Sequence, residues 1–120
     1  MAVFTGPDMA VNALQCGRAI VKTLSNPQFQ IGKEWIGVGI GINTGPAYIG
    51  SVGSETRKDH TVVGTTVNVA ARLCGYAQKF QVIFPKSTKD SADGYVVNFR
   101  SVGQVSLKGL STPIEIFELI

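Results

Sequence analysis

The sequence predicts a mixed α/β protein, an α+β sandwich with helices laid on one sheet face. Three observations lead there. Residues 9–24 repeat apolar side chains at three-to-four spacing, residues 66–77 do the same, and short strand-like runs alternate with these helices along the chain. The chain of 120 residues is long enough for one domain with a modest core. With 44% hydrophobic and 16% charged residues, it can offset its ordering entropy by burial.

The first run, "MAVF", reads as the tail of a strand, closed by the turn "TGPD", whose Asp8 can cap the following helix. In that helix Ala10, Ala13, Leu14, Gly17, Ile20, Val21 and Leu24 share one face, and Asn26-Pro27 stops it. In "WIGVGIGINTG" Val38, Ile40 and Ile42 point one way, and Gly37, Gly39 and Gly41 the other. Three glycines on one strand face leave bare backbone, which a helix, a partner or a ligand can approach closely.

Next comes the glycine-punctuated excursion "GPAYIGSVGSETRKDH", then a short strand at 61–63, and Gly64 leads into the second helix, for which Thr65 or Thr66 is a plausible cap. Further strands are expected at 82–84, 95–100, 104–107 and 114–119, separated by "KSTKDSADG", "SVG" and "KGLSTP". There is no internal repeat or linker.

The net charge of +3 comes from 11 basic and 8 acidic residues without a long basic run, so nucleic acid is not an expected partner. Cys16 and Cys74 fall in helical apolar patterns and read as buried thiols of a reducing cytosol, so a cytoplasmic location is expected. No apolar run reaches about 18 residues, so no membrane segment is expected, although a longer parent protein could be membrane-anchored. Phosphate-loop and dinucleotide-binding patterns are absent, and the lone histidine, His60, reads as surface.

On the second helix Asn68 and Arg72 stand one turn apart on a polar edge, while Val67, Val69, Ala70, Ala71, Leu73, Cys74 and Ala77 form an apolar arc. An amide beside a forked, permanently charged guanidinium suits the orientation of a phosphate ester and the stabilisation of charge developing on it. Taken alone, such a pair is ordinary solvated helix surface.

The run "GIGINTGPAYIGSVGSETRKDHTVVGTTVNVAARL" closely resembles the class III nucleotidyl cyclase homology domain. In that domain a glycine-alternating strand, a TG turn, a G-x-x-G stretch and a V-N-x-x-x-R helix recur in this order. The late "VSLKGLSTPIEIFEL" resembles its closing segment. The resemblance implies a ferredoxin-like fold and conversion of ATP or GTP into the 3′,5′-cyclic nucleotide and pyrophosphate by head-to-tail dimers with shared active sites. It assigns ribose orientation to Asn68, transition-state stabilisation to Arg72 and phosphate contact to Lys108. Thr61 takes the base-selecting place and favours ATP over GTP, and Arg57 lies near a phosphate-binding position.

The family's Mg²⁺ or Mn²⁺ pair is held by two aspartates, one on the first strand of the domain and one in the hairpin ahead of "MAVF". Residues 1–120 therefore read as the C-terminal part of the domain, without its first strands. The eight acids Asp8, Glu34, Glu55, Asp59, Asp90, Asp93, Glu115 and Glu118 offer no substitute pair. The expectation is that this chain alone binds no metal and is nearly or wholly inactive. It should self-associate, through the cyclase interface or the open sheet edge of "MAVF". The alternative is a non-catalytic, cyclase-like dimerisation or regulatory module.

Overall fold

The computed structural model describes residues 1–26, 30–31, 34–35, 37–54, 57–92 and 98–120, with the backbone path alone for 30–31, 34–35, 49–54 and 57–62. The first helix, α1, is Met9–Leu24, as its periodicity predicts. Its start is held by backbone bonds, with Met9 N–H donating to the Gly6 carbonyl at 3.2 Å and Asn12 N–H to the Asp8 carbonyl at 2.9 Å. Asp8 occupies the cap position without a side-chain bond, so its predicted capping role is corrected. Residues 1–4 form no strand, and Met1 is 88% exposed. An apolar run becomes a strand only where a neighbouring chain accepts its backbone bonds.

Two short strands, β1 (Gln30–Ile31) and β2 (Glu34–Trp35), pair antiparallel. Within the glycine-alternating run, among residues 37–45, Ile40–Gly41 form the strand β3. The expected excursion is instead a long hairpin of β4 (Tyr48–Ser54) and β5 (Arg57–Val63), in register from Tyr48↔Val63 to Ser54↔Arg57. His60 thus lies in a strand rather than a loop. Helix α2 (Thr65–Tyr76) follows, then β6 (Val82–Pro85), α3 (Lys86–Ser91), β7 (Phe99–Val105) and β8 (Ile114–Leu119).

The main sheet has the order β3-β6-β8-β7, with β3 parallel to β6 and the other pairs antiparallel. A parallel pair requires a crossover, and here the hairpin and α2 form it. The two strands expected at 95–100 and 104–107 are one, β7, which carries a bulge between Ser101 and Gly103. Residues 95–97 lie outside the described residues.

Alternation along β6 and β8 divides the core in two. Phe84 and Phe117, paired in register, pack with Ala10, Leu14 and Ala92. Ile83 and Ile116, on the opposite side, pack with Leu73 and Leu107. Helices α1 and α3 therefore cover one face of the sheet and α2 the other, which corrects the expected single helical face. Both faces of β6 are buried over all four residues, so each needs its own cover. Each of the large side chains among these contributes about 1.5–3 kcal/mol of burial.

Helix α3 arises in the segment expected to be a loop. Thr88 is wholly buried there, with its hydroxyl 2.9 Å from that of Thr44, and Lys89 Nζ stands 5.4 Å from the centroids of Phe99 and Phe117. Among the described residues no helix is long and apolar enough to cross a membrane.

Candidate active-site helix

The glycine face of the 37–41 run meets α2. A Cβ added at Gly41 would lie 2.4 Å from the Cys74 backbone N, and one at Gly39 would lie 2.7 Å from the Ala77 carbonyl oxygen. At Gly37 it would meet the Lys79 stem at 2.9 Å. The last turns of α2 and the residues just beyond it thus rest directly on backbone, and of the occupants left open by the sequence it is a helix that sits there. The Cys74 thiol donates to the Gly39 carbonyl at 3.6 Å along this contact.

The first turn of α2 is tied down separately. Gly64 is its N-cap, with φ 137° and ψ 172°, a conformation reserved for glycine. Neither Thr65 nor Thr66 caps the helix. The Thr66 hydroxyl instead donates to the Pro46 carbonyl at 2.6 Å, while Asn43 Nδ2 donates to the Thr66 carbonyl at 3.0 Å. Ser87 Oγ donates to Asn43 Oδ1 at 3.3 Å, which brings in the start of α3.

Helix α2 buries Leu73 fully and leaves Asn68, Ala71, Arg72, Cys74, Gly75 and Tyr76 exposed. Two expectations are corrected by this. Ala71 and Cys74 belong to the open face rather than the apolar arc, and the thiols are not both buried: Cys74 is exposed and Cys16 half-buried. Asn68 and Arg72 share the open face, one turn apart.

Lys108 is exposed in a turn in which Leu110 N–H donates to the Leu107 carbonyl at 3.1 Å and Gly109 has φ 92°. Positive φ at the third position of a turn is what glycine supplies. Leu107 and Leu110, on either side of Lys108, pack in the same cluster as Val69 and Leu73 of α2, so the lysine turn is anchored to that helix. Among the described residues the ion pair found joins Arg100 to Glu118, and no described carboxylate neutralises Arg72 or Lys108.

Thr61 and Arg57 are placed by backbone alone, Thr61 opposite Gly50 and Arg57 opposite Ser54 in the hairpin. The structure therefore connects Asn68, Arg72 and Lys108 through one helix and one core cluster, and puts Thr61 on the strand that feeds that helix. The residues missed by sequence reasoning are Asn43 and Thr66. Asn43 opens the visible motif "NTG" and Thr66 stands in "GTTVN", but their bonds cross 23 and 20 residues.

A cleft of 510 Å³ lies beyond the C-terminal end of α2, lined by residues including Gln78, Gln81, Arg100 and Glu118, and it contains none of the five predicted site residues. In it Gln81 Nε2 donates to Glu118 at 2.5 Å and Arg100 Nε donates to the other carboxylate oxygen. The Gln81 bond, helped by Arg100 and opposed by burial, holds the Glu118 carboxyl below its usual range. Glu115 accepts a 3.4 Å bond from Ser101. Among the described residues no three of His, Cys, Asp and Glu converge, so these residues do not fit a divalent-metal pair.

A mixed sheet crossed over by a helix that presents Asn68 and Arg72 to solvent makes this an α+β domain of the expected kind. The catalytic domain of adenylate and guanylate cyclases matches residues 5–120, and the chain belongs to that family. Adenylate cyclase 1 of Rhizobium meliloti is 34% identical over 92% of this chain. Among solved structures, the adenylyl cyclase CyaB of P. aeruginosa superposes on 97% of the chain with a TM-score of 0.85 and 28% identity. The guanylyl cyclase Cya2 does so on 96%, with a TM-score of 0.80 and 33% identity. The chain spans 17% of the Rhizobium protein's length and about three fifths of each solved chain, 61% and 59%.

Proposed function

We propose that this chain supplies the ribose- and phosphate-holding half of an adenylate cyclase site, which converts ATP to 3′,5′-cyclic AMP and pyrophosphate. The ribose 3′-oxygen attacks the α-phosphorus, the bond to the pyrophosphate oxygen breaks, and the 3′-hydroxyl proton leaves to solvent. Asn68 holds the ribose in line, and Arg72 stabilises the charge that builds on the pentavalent phosphorus. Lys108 contacts the triphosphate, with Arg57 as a second phosphate contact, and Thr61 favours adenine over guanine.

The observation that carries the reading is the pairing of Asn68 and Arg72 on the open face of α2, with the Lys108 turn anchored to the same helix through Leu107. An open face of this kind is what a site shared between two chains requires. The divalent metal is held in this reading by ligands of a second domain, so this chain alone turns over little or no ATP. The test is cyclic-nucleotide production from ATP and from GTP with Mn²⁺, for the chain alone and mixed with a metal-competent cyclase domain that lacks its own arginine. Activity in the mixture, higher with ATP, supports the reading; activity in neither overturns it. A second reading, a cyclase-like dimerisation module without catalysis, draws on the lack of a metal-ligand cluster among the described residues. It predicts association with the partner domain but no product.

A further inference from the structure

The substrate-facing residues of α2 have no described partner of their own, so their position is that of the helix that carries them. Two contacts fix that helix along its axis. The glycine run beneath its C-terminal half sets the distance to the sheet, and the Asn43–Thr66–Pro46 contacts fasten its first turn. We infer that Asn43 and Thr66 are positioning residues for Asn68 and Arg72. The inference rests on the cyclase reading for its effect on catalysis, though not for the fastening itself.

Thr66 is two residues before Asn68 and six before Arg72, which at about 1.5 Å per residue places the fastening about 3 Å and about 9 Å along the axis from them. The Gly64 cap has no side chain to pin the helix start, and no side chain caps it. The Thr66 hydroxyl does so instead by donating outward, to the turn at Pro46. Asn43 uses both ends of its amide, donating to the Thr66 carbonyl and accepting from Ser87, so it fixes α2 against α3 as well as against β3. Gly45 is part of the same device, since a Cβ there would lie 2.7 Å from Thr66 Oγ1. Close approach of the turn to the helix is thus built into the backbone.

A slip of about 1 Å at a site where a phosphorus must be met in line costs about a hundredfold in rate. Asn43→Asp removes the donor and turns a carboxylate toward the Thr66 carbonyl, while Thr66→Val keeps the shape and removes the hydroxyl. Both are expected to lower kcat of the mixed cyclase assay about ten- to hundredfold, with KM for ATP changed less than about threefold. Thr66→Ser, which keeps the hydroxyl, should recover most of what Thr66→Val loses.

Amide hydrogen exchange of residues 67–73 is read on the same variants. Protection in this stretch should fall in Asn43→Asp and Thr66→Val, with the thermal midpoint of the whole domain lowered by no more than a few degrees. Full kcat in either variant, or a matching loss in Thr66→Ser and Thr66→Val, overturns the inference. If the wild-type mixture makes no cyclic nucleotide, the cyclase reading fails and exchange alone decides: unchanged protection of α2 overturns the fastening, and lost protection upholds it.

Discussion

Replacing Gly41 with alanine tests whether α2 truly rests on the β3 backbone. The added methyl would lie 2.4 Å from Cys74 N, 2.7 Å from the Leu73 carbonyl carbon and 2.7 Å from Leu73 Cβ. Unstrained carbon contacts lie near 3.5–4.0 Å, so the helix must retreat by about 1 Å. Two of the three atoms are backbone and cannot turn aside. Retreat opens the contact between Leu73, which is fully buried, and Ile83 and Ile116 beneath it. Overpacking of this kind costs about 1–3 kcal/mol. At about 4 °C per kcal/mol for a domain of this size, the thermal midpoint should drop about 4–12 °C. Gly75→Ala on the same helix is the matched control, since a Cβ there meets nothing within 4 Å. By removing a glycine from a helix it should stabilise by about 0.5–1 kcal/mol and raise the midpoint about 2–4 °C. Equal midpoints for the two variants, measured by circular dichroism or calorimetry, would refute the packing argument.

Two further outcomes follow from other positions. Gly64→Ala should destabilise the domain by about 1–3 kcal/mol in chemical denaturation, because φ 137° with ψ 172° is open to glycine alone while the nearest atom to an added Cβ, Ala47 Cα at 3.8 Å, offers no clash. Glu118 has its folded-state pKa lowered from 4.5, so the unfolded chain binds the proton more tightly and stability rises with pH through that range. Its contribution is present above the unfolded value and lost as pH falls through the folded one. Glu118→Gln should therefore flatten the acid side of the stability profile below about pH 4.5 and leave its shape near neutrality unchanged.

Helix α1 and strand β8 were legible because each carries an unbroken local pattern: a single buried stripe in α1, and in β8 the run Ile116, Phe117 and Glu118 buried on both faces. The V-N-x-x-x-R edge was legible too, since helical spacing alone sets Asn68 one turn from Arg72. What covers each face was not. Ala71 and Cys74 look like core because they are small or apolar, yet among the described residues nothing covers their side of α2, and exposure there follows from that rather than from residue type. Helix α3 was hidden by a polar sequence whose order comes from one buried threonine and a lysine laid over two rings. The hairpin was obscured by glycines at 50 and 53, which weaken strand propensity locally. The fastening by Asn43 and Thr66 depends on contacts distant in sequence, which no local pattern encodes.

The central claim is that Arg72 acts on the reacting phosphate. Its most direct test is steady-state kinetics of Arg72→Ala in the reconstituted mixture with ATP and Mn²⁺. The account predicts a fall of about 10²–10³ in kcat with KM little changed, as for loss of a group that binds charge formed only in the transition state. An unchanged kcat, or a loss carried wholly by KM, would contradict it.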